Sequence, residues 1–142
     1  MDANIRHFIT KQSQDRQNIL TAIHSIISKE DNSVKPIVET MMGKEMIVYK
    51  GKGMMKYGLA SMKNYMTLHC MPIYSSKTLF AKYKSLLPLA TFQKGCINFP
   101  NADTMPLDIV KQLIVDCFSI DLAKIKEEYL KQKKATSSLR NK

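Results

Sequence analysis

Between residues 45 and 71 apolar and polar positions alternate, and on both sides of that stretch the apolar positions recur with helical spacing. The alternating part reads as consecutive strands. Met46, Ile47, Val48 and Tyr49 form the first, residues 54–61 the second and residues 65–71 the third. Lys50-Gly-Lys-Gly53 supplies the turn chemistry of a hairpin, and Met62-Lys-Asn64 makes the next link.

Upstream, residues 2–9 suffice for one or two helical turns. Ser13 stands as an N-cap with Asp15 in the first turn, and Ile19, Leu20, Ile23, Ile26 and Ile27 then mark one face of a helix of about four turns. Glu30-Asp-Asn-Ser33 ends it. Residues 34–42 are ambiguous: Pro36 suits the first position of a short helix carrying Ile37, Val38, Met41 and Met42 inward, with Gly43 as its stop.

Downstream, Ser75 or Ser76 caps a helix over residues 77–87, with Leu79, Phe80, Tyr83, Leu86 and Leu87 inside and Pro88 after its end. Residues 91–94, a kink at Gly95 and residues 96–99 make a last extended piece, in which Ile97 and Phe99 share a face. Pro106 fits the first position of the terminal helix. Leu107, Val110, Leu113, Ile114, Cys117, Phe118, Leu122 and Ile125 continue its pattern for several turns.

Grouped strands flanked by helices predict an α+β domain: a small antiparallel or mixed sheet covered on one face by N- and C-terminal helices. Residues 1–134 form that single domain, and residues 135–142 are expected to be a basic, disordered tail. The other sheet face is left for solvent or a ligand.

Charge adds a possible partner class. Twenty-two basic against twelve acidic residues give +10, enough to point to a polyanion. Much of the excess is C-terminal, so a weak polyanion or nucleic-acid contact falls to Lys131, Lys133, Lys134, Arg140 and Lys142. Against it, the chain has no Trp and only three Arg, so it lacks a stacking platform and an Arg-rich groove reader. No apolar run is long enough to span a bilayer, and the N-terminus does not read as a signal peptide. A cytoplasmic location is expected, with Cys70, Cys96 and Cys117 as reduced thiols.

Catalytic and metal signatures are sparse. No GxSxG, GxGxxG, P-loop or CxxC spacing occurs. His7 and His24 read as surface residues. His69-Cys70-Met71 collects soft ligands, yet strand neighbours point to opposite faces, so His69 and Met71 share a side that Cys70 does not. Neither a catalytic residue, a cofactor nor a metal site is assigned. What remains is the third strand, where Tyr65, Thr67 and His69 share a polar face opposite Met66, Leu68 and Cys70. With Lys56 or Tyr57 from the neighbouring strand, these groups would suit a small polar or anionic ligand.

The passage Lys94-Gly-Cys-Ile-Asn-Phe-Pro100, followed by Met105-Pro-Leu-Asp-Ile-Val into a helix, resembles the YdhG-like family of small bacterial domains (domain of unknown function 1801). The resemblance extends over roughly residues 13–118, including the Lys-Tyr-Gly strand and the Lys-rich helix. It implies an α+β domain with some likeness to frataxin and, for some members, a role in iron handling. The chain departs from the family before its first strand, where Met42-Gly-Lys-Glu-Met46 replaces an aromatic-Pro-Tyr approach. With catalytic signatures sparse, the chain is read as a non-enzymatic binding or accessory module, with a frataxin-like iron chaperone, as the resemblance implies, and a weak nucleic-acid binder as the alternatives. Iron of that kind needs clustered carboxylates. Residues 1–31 offer only Asp2, Asp15, Glu30 and Asp31, against Arg6, Lys11, Arg16 and Lys29.

Overall fold

The computed structural model describes residues 1–140, with side chains through Ala135. Asp2 accepts hydrogen bonds from the Asn4 and Ile5 amides and so caps α1 (Ala3–Thr10). Helix α2 (Gln14–Glu30) follows, with Ile19, Leu20, Ile23 and Ile27 buried. Four strands come next: β1 (Lys35–Met41), β2 (Lys44–Gly51), β3 (Met54–Ser61) and β4 (Met66–Cys70). A five-residue helix α3 (Met71–Ser75) and α4 (Lys77–Leu86) lead to β5 (Thr91–Gln93) and β6 (Cys96–Phe99). The chain closes with α5 (Leu107–Phe118) and α6 (Leu122–Arg140).

All strand pairs are antiparallel and form one sheet in the order β1-β2-β3-β4-β6-β5, so β1 and β5 are its borders. The fold class is α+β. Ile47, Leu59, Leu68 and Ile97 are aligned across four strands and buried in one core with residues of α1, α2 and α5. The opposite face carries a smaller apolar cluster of Met46, Val48 and Ala60, with Met55 packed against it.

Two hairpins of the meander turn on two residues each. Met42 and Gly43 have φ 52° and 79°, Lys52 and Gly53 have φ 54° and 76°. Both central residues lie in the left-handed region, as the twist of flanking strands favours, and glycine takes the second place without a Cβ penalty.

Several expectations need correcting. Residues 35–41 form a strand rather than a helix begun by Pro36. A border strand tolerates the missing N–H, and apolar spacing over so few residues fits either element. Residues 91–99 are a hairpin folded at Lys94 (φ 55°), not one kinked strand. The terminal helix breaks at residues 119–121 into α5 and α6, although Leu122 and Ile125 keep its apolar spacing. Helix α6 runs through Arg140, past residue 135 where a disordered tail was expected, although Thr136, Ser137 and Ser138 are weak helix formers. Lys142 and the Arg140 side chain lie outside the described residues. His24 is buried rather than on the surface, with Nδ1 2.6 Å from the Tyr49 hydroxyl. Burial, then the N-terminal charge, holds its pKa below the ordinary histidine value.

Candidate functional site

Strand alternation breaks at one place in β3. Tyr49 pairs with Tyr57, but the next residue of β2, Lys50, pairs with Met55. Lys56 is therefore the extra residue of a β-bulge, and two successive side chains, Lys56 and Tyr57, reach the same side of the sheet. Both end on Asp31. Lys56 Nζ lies 2.8 Å from Asp31 Oδ2, and the Tyr57 hydroxyl donates to the same oxygen at 2.7 Å.

Asp31 is placed by the end of α2. Its amide still donates to the Ile27 carbonyl at 3.0 Å, while its Oδ1 accepts from the Ser33 amide at 3.1 Å and from the Ser33 hydroxyl. This Asx-type turn fixes the carboxylate, leaving Oδ2 to the strand residues. Asp31 is fully buried and Lys56 is 6% exposed. Burial opposes ionisation of Asp31, but the hydrogen bonds from Lys56, Ser33 and Tyr57 outweigh it and hold the carboxyl below its usual range. Burial, with the hydrogen bond to Asp31, drives the Tyr57 phenol far upward, so it stays a donor.

Lys56 also donates to the Phe118 carbonyl at 3.3 Å. An ammonium has three hydrogens, and these two partners leave one for the cavity of about 340 Å³ that Lys56 lines. The cavity lies where the end of α2, the β2–β3 turn and the α5–α6 junction meet. Asn32, Ser33 and Ser119 add polar groups to its wall. Across it the exposed ammonium of Lys52 pairs with Asp121, which also caps α6 by accepting from the Lys124 amide at 3.1 Å.

The third-strand face assembles differently. Thr67 and His69 share one face as expected, and Tyr65, just before β4, is 37% exposed beside Asn98 in a shallow depression. Thr67 donates to Asn98 Oδ1 at 2.7 Å, and His69 Nδ1 lies 3.3 Å from Cys96 Sγ. Lys56 and Tyr57 do not join them. Tyr57 pairs with Cys70 on the helix side, and the bulge takes Lys56 there too. Met71 belongs to α3, so it does not share a strand face with His69.

Burial lowers the His69 pKa and raises that of Cys96. The two therefore meet as neutral imidazole and thiol, not as an activated ion pair. Cys70 and Cys117 touch in the core with sulfurs 3.7 Å apart, and their mutual hydrogen bond, then burial, pushes the Cys117 thiol up. Both are fully buried packing residues of the core.

Sequence reasoning missed Asp31 as a site residue. A signal was present: a lone lysine in an otherwise apolar strand, Met-Met-Lys-Tyr-Gly-Leu-Ala, demands a buried counter-charge or an exposed position.

Among the described residues, no group of three or more His, Cys, Asp or Glu is placed to hold a metal ion, and no helix is long and apolar enough to cross a membrane. In comparisons with known proteins, no family model, no curated protein and no solved structure matches the chain.

Proposed function

We propose that the chain is a YdhG-like, cytoplasmic, non-enzymatic binding module whose ligand is a small polar anion held in the cavity beside Lys56. One observation carries the reading: an almost wholly buried ammonium, fixed by Asp31 and the Phe118 carbonyl, with a remaining hydrogen at a concave wall. Prepositioned donors of this kind cost a ligand little reorganisation. Asp31 balances Lys56 and Asp121 balances Lys52 in formal charge, so an anion is held by directed hydrogen bonds from Lys56, Asn32 and Ser119, with Lys52 free to turn from Asp121 to the ligand. The volume suits a metabolite-sized molecule. The Thr67/His69 face ranks second, because Thr67 and Asn98 already satisfy each other.

The test is a thermal-shift panel of small carboxylates, inorganic phosphate and sugar phosphates. A ligand at a hundred times its Kd adds about 2.7 kcal/mol, a shift of several degrees for a chain of this size. Ser119→Phe fills the cavity from an exposed position and abolishes the shift; Lys52→Gln weakens it. A panel without any shift, or a shift surviving Ser119→Phe, overturns the reading.

Two alternatives are separated by cheap measurements. A frataxin-like iron carrier would show saturable iron uptake, and none is expected here. A nucleic-acid contact through α6 would rest on Lys131, Lys133 and Lys134, which fall within about 160° of the helix surface at 100° per residue, and it would show as salt-dependent binding that is lost when the three are replaced by Gln.

A further inference from the structure

Beyond the Lys56 cavity, a second concavity of about 610 Å³ lies between α3 and α6, at the end of the sheet where β3 begins. Met54, Met55 and Met71 line it, Tyr74 stands on the α3 side, and Ile125 and Tyr129 stand on the α6 side. These are unusual residues to leave open. Tyr74 is 64% exposed, Tyr129 61% and Ile125 41%. Flexible thioethers flanked by aromatic rings are the composition of interface cores and of grooves that adapt to an inserted helix.

Helix α6 itself shows that packing is incomplete. It has 19 residues, and every described side chain from Lys124 to Ala135 is exposed. A mostly polar helix of that length is marginal without a partner for its apolar stripe. Viewed along its axis, Leu122, Ile125, Lys126, Tyr129 and Lys133 share the groove side, while Glu127 and Glu128 turn away. The stripe thus passes from apolar to purely basic. A third base, Lys94, sits at the turn beside the opposite wall: a Cβ built at the adjacent Gly95 would stand 2.8 Å from Met71 Cε and 3.4 Å from Tyr74 Cβ.

We infer that this groove docks an acidic amphipathic helix of another protein. Its apolar side chains enter among Met54, Met55, Met71 and Tyr129, and its carboxylates face Lys126, Lys133 and Lys94. Charge selects this occupant. A second copy carries the same net +10 and would bring like charge to the rim. A flat lipid surface would not fill a concave site.

The experiment uses the full chain and a panel of fluorescein-labelled helical peptides with Leu or Phe at i, i+3, i+4 and i+7 and Glu between them. Fluorescence anisotropy should show saturable binding that weakens with salt and is lost at least about tenfold on replacing Glu by Lys, the direction that charge complementarity dictates. Tyr129→Asp and the double variant Lys126→Glu/Lys133→Glu, all at exposed positions, should each cost about tenfold or more, the scale of a lost interface anchor. Unchanged circular dichroism and melting temperature would show the variants folded. The proposal is overturned if no acidic peptide binds, or if acidic and basic peptides bind alike. It is equally overturned if the chain dimerises and Tyr129→Asp makes it monomeric, or if anionic vesicles compete for the site while acidic peptides do not.

Discussion

The two polar clusters on strands β3 and β4 differ in what they cost the fold. On the helix side, Asp31, Lys56 and Tyr57 bring a full ion pair into the interior, where every lone pair and proton must be matched. On the other face, Thr67 with Asn98 and His69 with Cys96 are neutral pairs between directly opposed strand residues, with Thr67 buried and its three companions half-buried. The first depends on an irregularity, the bulge at Lys56; the second is what regular alternation produces. A charged network that needs a broken ladder is expensive to keep, and it borders the cavity that most resembles a binding site.

The contrast is easiest to break at Lys56. Lys56→Met leaves the Asp31 carboxylate buried without its counter-charge and should cost about 3–5 kcal/mol in urea unfolding at neutral pH. Adding Asp31→Asn should restore much of that loss; a single variant with near wild-type stability would show the pair to be unimportant. Tyr57→Phe removes one hydrogen bond to a charged acceptor and should cost about 1.5–3 kcal/mol by the same measurement. Thr67→Val breaks only a neutral, partly solvated bond and should cost about 1 kcal/mol or less. If Thr67→Val proved the more damaging, the ranking of the two regions would be reversed.

Acid titration should separate the regions in pH. His69 and His24 have lowered pKa values, so the unfolded chain takes up their protons first. Their contribution is complete above the unfolded value of about 6.5 and is lost as pH falls through the lower folded values. Asp31 is also lowered, so its contribution is present above about pH 3.9 and is lost as pH falls through its folded value, with Asp116, held down by Lys82 and Tyr83, acting in the same window. Unfolding midpoints measured from pH 7 to 2 should therefore decline in two stages. His24→Asn/His69→Asn should remove the first and leave the second.

Much of the architecture was legible because its signals are local. Ile19 to Ile27 gave α2, Ser76 gave the start of α4 by accepting from the Leu79 amide at 3.2 Å, and glycine after Lys52 gave a hairpin. The shared face of Thr67 and His69 followed from alternation alone. The rest depended on tertiary context. Pro36 is admissible in β1 only because that strand is a border, and Lys94 adopts a positive φ without being glycine. His24 is buried because Tyr49, on a distant strand, offers its hydroxyl. The cavity was illegible for the same reason: three segments far apart in sequence build it, and a strict two-residue period assigns Lys56 and Tyr57 to opposite sides.

The unpaired borders of the sheet bear on how the chain behaves at high concentration. A strand with free main-chain groups can template fibre growth by recruiting strands from other molecules. Here one rim, β1, exposes Ile37 and Met41 but has Pro36, which offers no N–H, and it interleaves Lys35 and Glu39. The other rim, β5, ends after three residues. Polymerisation through the sheet therefore meets a missing donor at one end and too short a seam at the other.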